Sequence, residues 1–140
     1  MGFNFKFALG TQEFYDDIPA AVVSIIKGEC LYWASGYAGN VYTNVTCALL
    51  LGVAAETVDN SGGSVGDKHV NVNMTPLAVW EVGTDDTMTA AYRGYNCALA
   101  SATTITSASQ GTDITGVFKI LYMISASKVR GRFNFTGTAT

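Results

Sequence analysis

Lys128-Val129-Arg130-Gly131-Arg132-Phe133-Asn134-Phe135 alternates with a period of two, the signature of an extended strand with two unlike faces. Lys128, Arg130, Arg132 and Asn134 share one face, and Val129, Gly131, Phe133 and Phe135 share the other. One face therefore enters a core. The other offers three cations within roughly 14 Å, at about 3.4 Å per residue. Immediately upstream, Gly116 to Ile124 is a second apolar stretch, and Ser125-Ala126-Ser127 between them is a tight link, so the two predict a hairpin.

The same rhythm runs outward from this hairpin. Val70-Asn71-Val72-Asn73-Met74 and Val79-Trp80-Glu81-Val82 alternate, and the latter ends at the turn Gly83-Thr84-Asp85-Asp86. Leu49 to Val58 is an almost unbroken apolar run; Gly52 and its β-branched flanks favour a buried central strand over a helix. Ala21 to Ile26 and Cys30 to Ala34 read as short strands joined by a turn at Lys27-Gly28-Glu29, and Ser35 to Asn40 reads as a glycine-punctuated loop. Asp59 to Asp67 is expected to be a flexible loop without core residues, and Met88 to Leu99 has room for a short helical turn. Apolar spacing of the helical kind, with caps, is missing over any long window. Short strands with turn signals every 8–12 residues or so predict an all-β chain: a single small β-barrel or β-sandwich domain over residues 20–140.

Residues 1–19 differ. Phe3, Phe5 and Phe7 alternate with Gly2, Asn4 and Lys6, and a polar stretch through Asp16-Asp17 leads to Pro19. This reads as an extended N-terminal arm. Three phenylalanines on one face of a strand cannot bury themselves; they must lie on the arm's own domain, on another copy, or on another protein.

Composition narrows the function classes. Charged residues make up 14% of the 140, against about 25% in an ordinary domain, while 49% are apolar. A surface so poor in charge suits a protein that lies against other protein. The net charge of −3 excludes a generally basic nucleic-acid binder. Its distribution is uneven: after Asp113 there is no acidic residue, while Lys119, Lys128, Arg130 and Arg132 all follow. Read plainly this is a solvated strand face; read functionally it is a docking edge for an acidic partner. Cys30, Cys47 and Cys97 are odd in number and lack metal-ligand spacing, which points to buried free thiols in a reducing compartment. No signal-peptide pattern and no apolar run of membrane length is seen, so neither export nor a membrane is expected, and the sequons at Asn44, Asn73 and Asn134 are expected to be idle.

Chemistry-bearing patterns are scarce. His69 is the single histidine, beside a Gly/Asp loop, and reads as a surface residue. No nucleophile elbow, phosphate loop or zinc-protease motif occurs. The Asp59 to Asp67 loop lacks the ligand spacing of a calcium loop, and Asp16-Asp17 and Asp85-Asp86 are adjacent residues whose carboxylates point apart. No enzyme, metal or cofactor is expected. Trp33 and Tyr37, in an aromatic cluster with Tyr32, are candidates for stacking on a sugar.

The body of the chain, roughly residues 20 to 136, resembles bacteriophage capsid decoration or cement proteins. The likeness rests on Ile26-Lys27-Gly28-Glu29 leading into Trp33-Ala34-Ser35-Gly36, and on Leu51-Gly52-Val53-Ala54-Ala55-Glu56-Thr57-Val58-Asp59. It continues in Trp80-Glu81-Val82-Gly83-Thr84 and in Gly116-Val117-Phe118-Lys119-Ile120. It implies a compact β domain, often a homotrimer, bound to the major capsid protein on the outer surface of the virion and bridging capsomers. Phe3, Phe5, Phe7, Lys128, Arg130 and Arg132 are then the expected contacts with capsid or with another subunit. The alternative is a carbohydrate- or receptor-binding β-domain of a phage head fibre or tail, using Trp33 and Tyr37.

Overall fold

The structure is a computed structural model, and it describes residues 5–9, 15–40, 47–75, 78–85, 87–106 and 116–135. It is all-β. In chain order the strands are β1 (Lys6–Leu9), β2 (Tyr15–Pro19), β3 (Ser24–Ile25), β4 (Cys30–Ala34), β5 (Tyr37–Gly39), β6 (Leu50–Ala54) and β7 (Val58–Asp59). They continue with β8 (His69–Asn73), β9 (Val79–Thr84), β10 (Asn96–Ser101), β11 (Thr104–Thr106), β12 (Phe118–Ser125) and β13 (Lys128–Phe133). Two single turns of 3-10 helix, Cys47–Leu49 and Ala90–Tyr92, are the helical content among the described residues.

β9, β11, β10, β12 and β13 pair in that order, and β13 returns to β9, closing a five-stranded barrel. All its pairings are antiparallel except β9 with β11. Closure leaves these strands no free edge, which removes a route to aggregation. β1 is added on the outside, pairing with the first half of β9. The other large sheet runs β2-β8-β6-β4-β5, and a parallel bridge from Ala20 to Ala38 draws its two ends together.

Each sheet has its own core. Phe118, Ile120, Ile105, Val82, Val129, Trp80 and Phe133 fill the barrel, while Ile18, Ile25, Leu31, Leu51, Val70 and Val72 fill the other sheet. β6 serves both. All five of its residues are buried, Leu51 and Ala54 facing one core and Leu50 and Val53 the other, which is why its sequence lacks the polar alternation of a half-exposed strand. Gly52 sits at the centre with φ +154, where a Cβ would collide with the carbonyl oxygen of Asn73.

The hairpin expected at the C-terminal end is β12–β13, with Lys119 opposite Arg132 and Phe118 opposite Phe133. The loop expected over Ser35 to Asn40 is a tight turn at Ser35–Gly36 followed by β5. The strand expected over Ala21 to Ile26 shrinks to β3, and Val22 and Ile26 are exposed. The Asp59–Asp67 loop also departs from expectation, since Asn60 is 1% exposed. Its amide donates to the carbonyls of Ala20, Ala21 and Ser64 at 3.2, 3.1 and 3.0 Å. Asp67 Oδ2 accepts the Ser64 N–H at 2.8 Å, and Asp59 Oδ1 accepts the Ser61 hydroxyl at 2.5 Å and the Ser61 N–H at 2.9 Å; the hydroxyl bond first, and the N–H bond after it, hold the Asp59 carboxyl below its ordinary pKa. The loop is a buckle stitched to Ala20–Ala21 through the buried Asn60 amide and the Gly66 N–H, which donates to the Ala20 carbonyl at 2.9 Å.

Of the N-terminal segment, residues 5–9 and 15–19 are described; they hold β1 and β2, which pair with β9 and β8 of the same chain. Phe5 is 3% exposed and its ring meets those of Phe133 and Phe118 at 4.9 and 5.6 Å. No structural break falls at residue 20: β2 pairs with β8 along its whole length, and Ala20 continues into the bridge with Ala38.

Cys30, Cys47 and Cys97 are buried thiols not joined in disulfides, and burial pushes the Cys30 thiol well above its ordinary pKa. The folded protein is expected to leave all three unreactive toward a colorimetric thiol reagent, and denaturant to release them together. A thiol titrating at once in the native state would contradict this packing.

Candidate functional site

The outer face of the barrel over β9, β13 and β12 gathers most of the late basic residues. Burial along β13 alternates as the sequence predicts, with Val129, Gly131 and Phe133 inward and Lys128, Arg130 and Arg132 outward. Inward-facing Gly131 is compulsory. A Cβ there would run into the carbonyl oxygen of Lys119 and stand 2.7 Å from the Phe118 ring.

The three cations are not equivalent. Glu81 on β9 lies directly across from Arg130 and takes up two of them: its Oε1 is 3.4 Å from Arg130 Nε and its Oε2 is 4.0 Å from Lys128 Nζ. Arg130 also donates from Nη1 to the Tyr122 hydroxyl at 3.0 Å, and its guanidinium lies 5.8 Å from the centre of that ring. The hydrogen bond to Tyr122, with Glu81 adding to it, raises the Arg130 pKa above its already high ordinary value. Arg130 is thus an anchored residue within the sheet face.

Arg132 has no carboxylate partner among the described residues, and neither does Lys119, which faces it directly across the β12–β13 pair. Directly opposed side chains on a sheet stand about 5 Å apart at Cβ, and like charges there are destabilising. Asn96 on β10 continues the row as the register partner of Lys119, and its Oδ1 is buried without a hydrogen-bond partner. Asn96, Lys119 and Arg132 form a polar stripe across three strands, with two uncompensated positive charges. Sequence reasoning named Arg132 but not Lys119 as its neighbour, nor Asn96. The excess of late basic residues was the available signal, and the pairing register was missing.

Other expected site residues fall elsewhere. Phe3 lies outside the described residues. The structure corrects the expected role of Phe5, whose ring is spent in the core and presents no face to a partner. Phe7 is half-buried, edge-on to Trp80 at 5.7 Å. Trp33 and Tyr37 cannot form one stacking platform. In the β4–β5 hairpin Trp33 faces Ala38, whose side chain is in the core, while Tyr37 faces Ala34, so the two rings leave opposite sides of the sheet. His69 Nδ1 is 3.2 Å from Asp17 Oδ2, and both side chains are exposed. Among the described residues no group of three or more His, Cys, Asp or Glu side chains comes together to hold a metal ion. No protein-family model matches the chain, and no curated protein matches it.

Proposed function

We propose that this protein is a non-enzymatic structural protein that docks onto the outside of an assembled phage capsid and cements neighbouring capsomers. In this reading it binds the major capsid protein as a homotrimer on the virion surface. The observation that carries the docking surface is the opposed pair Lys119 and Arg132 beside Asn96. Like charges held face to face on a sheet weaken the fold, and an acidic partner surface that excludes water would relieve them. Anchored Arg130 and Lys128 fix the neighbouring surface, so the stripe is presented on a rigid barrel face. The resemblance of residues 20 to 136 to decoration proteins supplies the identity of the partner. Many copies on a lattice make modest sites effective.

The test couples stability to binding. Lys119→Gln with Arg132→Gln removes the repulsion, so thermal stability is expected to hold or rise slightly. Co-sedimentation with expanded shells is expected to weaken at least about tenfold, on the order of 1.4 kcal/mol. Binding of the unaltered protein is expected to fall with added salt. Unchanged shell affinity in the double variant would remove the stripe from the docking surface, and failure of the unaltered protein to bind shells would end the capsid reading.

A further inference from the structure

The Asp59–Asp67 buckle holds one buried group that its own hydrogen bonds leave over. Asn60 Oδ1 is sealed from solvent and has no hydrogen-bond partner. Its direction is fixed, because the N–H groups of the same amide serve the carbonyls of Ala20, Ala21 and Ser64. Turning the amide over would set its oxygen against those three carbonyl oxygens. A buried acceptor left unanswered costs stability, so it calls for a donor or an ion.

A carboxylate converges on the same place. A Cβ on Gly63 would stand 2.8 Å from Asn60 Oδ1 and 2.9 Å from Asp67 Oδ2, so both oxygens border the space that a side chain there would fill. The turn that brings them together is closed by the Gly63 N–H, which donates to the Asn60 carbonyl at 3.3 Å. Asp67 Oδ2 accepts the Ser64 N–H, and Asp67 forms no ion pair among the described residues. Lys68, next in sequence, donates from Nζ to the Asp59 carbonyl at 2.8 Å instead. Two acceptors with no proton between them repel. Water could answer the amide, but a positive charge answers both.

The donors choose the ion. An amide oxygen and a carboxylate are hard ligands, which suit calcium or magnesium over zinc or copper. Asp67 is exposed, so solvent has access to complete the coordination sphere. Calcium accepts such an irregular set of oxygens, whereas magnesium demands a near-ideal octahedron. The ligand spacing of a calcium loop is missing from the sequence because one donor is an amide oxygen, brought to the carboxylate by a turn.

We infer that the Asp59–Asp67 buckle binds a calcium ion between Asn60 Oδ1 and the Asp67 carboxylate, with water supplying the remaining ligands. The inference stands apart from the capsid reading. A single carboxylate makes a weak site, and a Kd of about 10⁻⁴–10⁻³ M is expected. The bound ion ties the loop more firmly to Ala20–Ala21.

Thermal unfolding of the full chain, first stripped with a chelator, tests this by circular dichroism. About 10 mM calcium is expected to raise the melting temperature on the order of 3 °C, and magnesium at the same ionic strength is expected to do less. Terbium, a hard cation that stands in for calcium, gives a second readout through tyrosine-sensitised luminescence, since Tyr37 lies beside Gly66 of the same loop. Its emission is expected to saturate and to be displaced by calcium. Asp67→Asn keeps an acceptor for the Ser64 N–H but removes the charge, and both responses are expected to vanish. Gly63→Ala fills the space between the two oxygens and is expected to weaken terbium binding at least about tenfold; it decides the matter if Asp67→Asn does not fold. No saturable terbium binding, a calcium effect equalled by magnesium, or undiminished binding in a folded variant would each overturn the proposal.

Discussion

Phe5→Ala is expected to lower stability by about 3–5 kcal/mol, the usual cost of emptying a buried phenylalanine site. The ring is one of a group in which Phe5, Phe118 and Phe133 lie with centroids 4.9 to 5.6 Å apart, so alanine leaves a void that the closed barrel cannot collapse into. For a chain of this length the melting temperature is expected to drop on the order of 15 °C. Deleting residues 1–9 is expected to cost at least as much, since it also strips β1 from β9. Thermal unfolding followed by circular dichroism measures both. A drop below about 3 °C for Phe5→Ala would place the N-terminal segment outside the core, as a detachable arm.

Gly131→Ala is expected to destabilise by about 3 kcal/mol, the upper end of ordinary overpacking. The new methyl meets backbone, not the mobile end of a side chain: the Lys119 carbonyl is fixed by the β12–β13 pairing, and the Phe118 ring beside it is fully buried. Relief requires β12 and β13 to separate, which would open the barrel at the seam that carries Lys119 and Arg132. Shell binding is therefore expected to fall along with stability. Gly62→Ala is the control, because a Cβ there meets nothing within 4 Å. It is expected to be neutral or slightly stabilising. Chemical denaturation of the two variants side by side separates a steric effect from the general loss of backbone freedom.

The two variants illustrate how unevenly the sequence discloses this molecule. Period-two alternation marked β13, β8, β9 and the inward position of Gly131, and the apolar run marked β6 as buried on both sides. It gave no hint that Gly131 is sterically obligatory, because the colliding oxygen belongs to another strand. The buckle over Asp59–Asp67 hid for a similar reason. Its composition is that of a solvent loop, yet a single asparagine finds three carbonyls, two of them on residues about 40 positions away.

The strands β8, β9, β12 and β13, the two faces of β13 and the cluster of late cations follow from the chain alone, since each depends on the geometry of a residue and its immediate neighbours. The tertiary structure alone decided that Phe5 is core, that Trp33 and Tyr37 part company, and that Glu81 claims Arg130 from 49 residues away while Lys119 and Arg132 face each other unrelieved. Those outcomes hang on strand order and register, which are set by how whole strands fit around a common core, and a local pattern repeats identically whichever neighbour a strand acquires.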